Sequence, residues 1–195
     1  MKVIGLTGGI GMGKSTVAAA FRNARIPVFD ADAVVHKLQG PGGRAVRAIS
    51  AAFPGTVRDG KVDRALLREA VLGRPHELRR LEAIIHPMVR REEHAFLARA
   101  RCAGCRVALL DIPLLLETGG DKRVDLVLVV SAPRDVQIYR VRLRRKMSRP
   151  EIEAIIAAQM PDRMKRRRAD IVVQTGLSRH QALRKVRWLI GDLLA

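Results

Sequence analysis

The feature that most constrains the fold is GGIGMGKS at residues 8 to 15, set between the apolar run KVIGL and the helix-forming TVAAAFRNA. A short apolar run with β-branched members, bounded by glycine, reads as a buried strand. Gly8, Gly13, Lys14 and Ser15 satisfy the pattern G-x-x-x-x-G-K-[ST]. Glycines let such a loop close tightly around phosphate with successive N–H groups pointing inward. The lysine reaches the β and γ phosphates, and the hydroxyl is available to Mg²⁺. A helix starting near Lys14 adds the positive end of its dipole. Strand, loop and helix in this order predict nucleotide binding.

IPVF at 26–29, VALLD at 107–111, DLVLVV at 125–130 and DIVV at 170–173 repeat the apolar pattern, each followed by helical or loop sequence. Runs that are apolar throughout and alternate with helices indicate a parallel sheet covered on both faces. The expected class is therefore α/β with a five-stranded parallel sheet, and 195 residues suit one domain. Between the second and third strands lie about 75 residues with helical periodicity, in GRAVRAISAAF, RALLREAVL and HELRRLEAIIHPMVRREEHAFLARA. They predict a helical subdomain over about 31–105 that builds the second substrate's site. Pro75 suits a first helical turn, whereas Pro87 is expected to kink or break the long helix. PRDVQIYRVRLRRK reads as a basic helix, and Ser148 with Glu151 and the later SRHQ at 178–181 have capping-box spacing.

Lys and Arg outnumber Asp and Glu by 37 to 19, a net charge of +18, which favours a polyanionic partner such as nucleic acid, an acidic membrane or a phosphate-rich small molecule. Aromatic residues are only 3%, which argues against a base-stacking platform for single strands. No apolar run is long enough to cross a bilayer, and MKVIGLTGGI is too glycine-rich for a signal peptide, so a cytoplasmic location is expected. Cys102 and Cys105 form a lone CAGC with no second ligand pair for zinc, and Gly104 is placed as a helix stop, so two ordinary thiols at a helix end are expected.

Against this basic background, Asp30 and Asp32 directly follow an apolar run in VFDADAVVHKL. Ligands of open parallel sheets bind beyond the carboxyl ends of the strands. A carboxylate there can accept the proton of an attacking hydroxyl, as a kinase requires. Either aspartate is equally suited to cap the helix AVVHKL.

The chain resembles the dephospho-CoA kinases, a P-loop NTPase family, through GLTGGIGMGKSTV, DADAVVH, LEAIIHPMVR, DIPLLLETG, VVSAP, QIYRVRLR, AAQMP and KRRRAD, in family order and spacing. The resemblance implies a three-layer α/β fold with a core over about 1–30, 106–140 and 169–195, and a lid over about 141–168. It implies transfer of the γ-phosphoryl group of ATP, with Mg²⁺, to the ribose 3′-hydroxyl of dephospho-CoA. Asp32 would be the general base with Asp30 supporting it. Gly11, Met12, Gly13, Lys14, Ser15 and Thr16 would hold the phosphates, with Arg144 and Thr175 also at the nucleotide. Lys14 and Arg140 would assist transfer. Asp111, Pro113, Leu114, Leu115 and His86 would line the acceptor site, with Ser15 at Mg²⁺ and Asp111 ordering it through water. A core-facing histidine at a helix kink is the competing reading of His86. A monomer acting on a small molecule, without specific nucleic acid or membrane partners, is expected. The alternatives are another small-molecule or nucleoside/nucleotide kinase, and a basic, nucleotide-dependent nucleic-acid-binding protein.

Overall fold

The computed structural model describes residues 1–145, 147–176 and 178–194, and its chain divides into two compact units, Met1–Phe29 with Ala100–Ala195, and Asp30–Arg99. In the first unit, β1 (Lys2–Thr7) leads through the glycine loop into α1 (Lys14–Asn23). β2 (Val28–Asp30), β5 (Val107–Asp111), β6 (Leu126–Ser131) and β7 (Ile171–Gln174) complete a sheet of order β2-β5-β1-β6-β7. β1 pairs in parallel with both β5 and β6, and β6 in parallel with β7. Each apolar run of the sequence thus becomes a strand, and the central strands are buried on both faces.

Register is set at the amino ends of the strands by two aspartates. Asp125 Oδ2 accepts from Val3 N–H at 2.7 Å while the Asp125 N–H donates to the Val3 carbonyl at 2.8 Å. Asp170 does the same with Val127, at 2.7 and 3.0 Å. A one-residue slip would forfeit both bonds of each bracket and turn the buried side chains to the wrong face.

α1 presents Val17, Ala18 and Phe21 to the core, where Phe21 is fully enclosed together with Ile4, Leu6 and Leu109. Burying side chains of this size contributes about 1.5–3 kcal/mol each. Met12 joins the same cluster. α6 (Arg134–Arg145), α7 (Arg149–Ala157) and α8 (Asp162–Arg167) follow β6, and α9 (Arg179–Leu194) follows β7. The expected capping box of α7 forms between Ser148 and Glu151, and the Ser178 hydroxyl accepts from Gln181 N–H at the start of α9. Lys146, which ends the basic helix expected from the sequence, lies outside the described residues.

In the second unit, α2 (Ala31–Gln39), α3 (Val46–Ala52) and α4 (Arg64–Val71) enclose a separate core around Leu38, Ile49, Phe53, Val62 and Leu67. A hairpin of β3 (Val57–Arg58) and β4 (Lys61–Val62), not expected from the sequence, turns through Asp59 and Gly60, both at positive φ. α5 runs unbroken from Pro75 to Cys102 with Pro87 inside it, so of the expected kink or break the break does not occur. A proline removes a single N–H donor, and this 28-residue helix continues on both sides of it. Its carboxyl end stops as expected: Gly104 at φ 70° donates to the Arg101 carbonyl, and Cys105 N–H reaches back to Ala100. Cys102 and Cys105 are free thiols.

Candidate active site

The glycine loop emerges from β1 and ends at Gly13, which adopts φ 95° and caps α1 without a side-chain hydrogen bond. The cap therefore leaves the first-turn N–H groups without a side-chain acceptor, a suitable state for an anion. Gly11 is at φ 75°, and a Cβ there would lie 2.7 Å from the Gln137 carbonyl, so any side chain would displace α6. Two glutamines that carried no expected role hold the loop at Ile10. Gln159 Oε1 accepts from Ile10 N–H at 3.0 Å, and Gln137 Nε2 donates to the Ile10 carbonyl at 2.6 Å. Their separation of more than 120 residues from the loop leaves no local signal in the sequence.

Lys14 Nζ lies 3.1 Å from Asp111 Oδ1, both side chains being largely enclosed. Asp111 ends β5, the immediate neighbour of β1, and pairs in register with Leu6. Ser15 sits beside Lys14 in the first turn of α1. The hydroxyl of Ser15 and the carboxylate of Asp111 are hard oxygen donors of the kind Mg²⁺ takes, and no cluster of three His, Cys, Asp or Glu occurs among the described residues. A donor set this sparse fits Mg²⁺, which keeps waters and substrate phosphates as its other ligands.

Arg140 is fixed by Thr175. Its Nη1 donates to Thr175 Oγ1 at 3.0 Å and its Nη2 to the Thr175 carbonyl at 2.6 Å. Thr175 Oγ1 in turn donates to the Met12 carbonyl at 2.6 Å, tying α6 and the end of β7 to the glycine loop. The Met12 side chain points away from the phosphate position into the core, where its sulfur accepts from Ala132 N–H. A pocket of about 260 Å³ is lined by Gly11, Gly13, Thr16, Arg140, Arg144 and Thr175, gathering six of the expected nucleotide residues. Arg179, which the sequence did not single out, lines it too.

After Asp111 the chain turns through Pro113, Leu114 and Leu115. Leu114 is exposed, but Leu115 is wholly buried with Leu116, Val127 and Val129. Leu115 therefore packs the core, and of the two leucines expected at the acceptor site only Leu114 is open to solvent. The KRRR run is largely committed within the fold. Lys165 is buried against Glu117 at 2.7 Å, Arg166 pairs with Asp162 at 3.1 Å, and Arg168 with Asp121 at 2.6 Å. The Arg168 hydrogen bond holds the Asp121 carboxyl below the usual carboxylate range.

In the second unit the two aspartates differ in their contacts. Asp30 caps α2, its Oδ1 accepting from Ala33 N–H at 3.0 Å. Asp32 lies exposed in the first turn and has no hydrogen-bond or ion-pair partner among the described residues. One turn later, His36 meets Arg64 Nη1 at 2.8 Å through its Nδ1. His86 is exposed on α5, so the reading of a core-facing histidine is set aside.

A family model described as Dephospho-CoA kinase matches residues 2–179. The dephospho-CoA kinase of Gluconobacter oxydans is 53% identical over an alignment of 197 positions that covers 99% of this chain and 98% of that protein. The one from Rhodopseudomonas palustris is 55% identical over 194 positions, covering 100% and 94%. A crystal structure from Thermus thermophilus superposes with TM-score 0.87 at 36% identity, covering 98% of this chain and 97% of the other. The shikimate kinase of Bacteroides thetaiotaomicron shares the fold, with TM-score 0.55 at 20% identity and coverage of 100% and 99%.

Proposed function

The chain belongs to the dephospho-CoA kinase family, and from that membership we propose how its residues divide the ATP-dependent phosphorylation of dephospho-CoA, its reaction in coenzyme A biosynthesis. The acceptor is the ribose 3′-hydroxyl. Asp32 takes the hydroxyl proton as the oxygen attacks the γ-phosphorus, and the bond to the bridging oxygen breaks to leave ADP. The unpartnered, exposed carboxylate of Asp32 supports this role, because it has no competing structural bond. Asp30 supports the base by capping the helix that carries it.

The backbone from Gly11 to Thr16 cradles the phosphates. Lys14 and Arg140 offset the charge that develops on the transferred group and on ADP. Arg144 and Thr175 complete the nucleotide pocket, and His86, Pro113 and Leu114 contact the acceptor. Ser15, with Asp111 acting through water, would hold Mg²⁺, which would supply neutralisation of phosphate charge. The same reading makes the enzyme a cytoplasmic monomer. No helix among the described residues is long and apolar enough to cross a membrane.

The Lys14–Asp111 pair beside the start of α1, where no side chain caps the helix, carries the assignment of the phosphate site. The test is 3′-phosphorylation of dephospho-CoA by purified protein with ATP and Mg²⁺, run beside nucleoside monophosphates and shikimate as acceptors. Turnover of either competitor with dephospho-CoA left untouched overturns the reading. The nucleic-acid alternative is disfavoured by the internal pairing of Lys165, Arg166 and Arg168, and only weak, salt-sensitive DNA binding is expected.

A further inference from the structure

Lys165 is 1% exposed, and its ammonium touches two points of the loop that follows Asp111: Glu117 Oε1 at 2.7 Å and the Pro113 carbonyl at 3.4 Å. From those points two short paths lead to the glycine loop. The Pro113 carbonyl also accepts from Thr7 Oγ1 at 2.8 Å, and Thr7 is the last residue of β1 before the loop. Glu117 Oε1 also accepts from Met160 N–H at 3.1 Å, and the preceding residue, Gln159, accepts from Ile10 N–H inside the loop. One buried cation thus ties down both flanks of Gly8 and Gly9.

Stability is a poor explanation for this arrangement. A buried ion pair recovers its desolvation cost only when its remaining atoms are satisfied, and Glu117 Oε2 is buried with no hydrogen-bond partner among the described residues. We propose that Lys165 and Glu117 are positioning residues for phosphoryl transfer, holding Thr7 and Ile10 so that the glycine loop meets the transferred phosphate in register. The inference rests on the assignment of the loop to ATP phosphates. Retained transfer by Lys14→Ala would sink that assignment, whereas the variants below bear on Lys165 and Glu117.

The decisive protein is the double variant Lys165→Met with Glu117→Gln. It removes both buried charges while the glutamine oxygen keeps the Met160 bond. Its unfolding midpoint is expected within about 4 °C of wild type, since neutral replacement of a buried pair is often tolerated. Its kcat for dephospho-CoA is expected to fall by ~10-fold or more with the Kd for ATP within ~3-fold, because small misplacements at a reacting centre are costly in rate. A stable double variant with kcat near wild type would show the pair to be purely structural. If the double variant does not fold, Glu117→Gln and Glu117→Ala, assayed well below their midpoints, decide the matter. Loss of kcat in the alanine variant with rescue in the glutamine variant, at equal ATP affinity, supports positioning, and equal kcat in the two overturns it.

Discussion

Lys14 Nζ, at the start of α1, and Asp111 Oδ1, at the end of β5, lie 3.1 Å apart. The contact places the lysine of the phosphate loop beside the carboxylate proposed to order Mg²⁺. Lys14→Ala is expected to weaken ATP binding and to lower kcat together, since the ammonium serves both the bound and the transferring phosphate. Asp111→Asn is expected to lower kcat by ~10²-fold, in the range for losing one preorganised electrostatic group, and to raise the Mg²⁺ concentration needed for half-maximal rate. Steady-state kinetics over a Mg²⁺ titration checks both.

Asp32→Asn keeps the size of the side chain and removes its basicity. ATP affinity, measured by calorimetry, is expected to stay near wild type while kcat falls by ~10²-fold or more. Asp30→Ala should act differently. It removes the cap of α2 and is expected to cost about 1 kcal/mol of stability, read as a lower denaturation midpoint. Near-normal turnover in Asp32→Asn would leave that residue without a chemical role.

Thr175→Val conserves shape and deletes one hydroxyl that donates to the Met12 carbonyl and accepts from Arg140. Leaving a buried acceptor unsatisfied costs about 1–3 kcal/mol. The variant is expected to lose stability of that order and to show a raised KM for ATP, through a loosened Arg140 and glycine loop. An unchanged KM would separate Arg140 from the nucleotide.

Arg168 holds Asp121 in its ionised form and lowers its carboxyl pKa in the folded state. A depressed folded value means that the stabilisation is complete above the ordinary carboxylate pKa of about 4 and is lost as pH falls through the lower folded value. Arg168→Ala is therefore expected to lower the thermal midpoint at about pH 7 and to differ less from wild type at about pH 2.5. Parallel melts at the two pH values check this, and an equal difference at both would assign the loss to packing.

Local features were the legible ones. The phosphate loop, the capping box of α7, the Gly104 helix stop and the apolar strands each depend on residues within one or two turns of each other, so spacing alone revealed them. The contacts that complete the site join residues far apart in the chain: Asp111 to Lys14, Gln159 to Ile10, Thr175 to Met12. No periodicity encodes such pairs, because strand order decides them. Leu114 and Leu115 are chemically identical, yet one is 41% exposed and the other 0%, a difference set by the turn after β5. The charge density of KRRR says nothing of the partners that the distant loop at 117–121 supplies to Lys165 and Arg168.

The brackets formed by Asp125 and Asp170 sit at the amino ends of the strands, while Asp111, Thr175 and the glycine loop cluster at or just past the carboxyl ends. The sheet therefore has an assembly edge and a working edge. Changes at the first should alter how quickly and how faithfully the chain folds, and changes at the second what the folded chain can do. Substitutions that retune the chemistry can accumulate at one edge without disturbing the instructions for alignment written at the other.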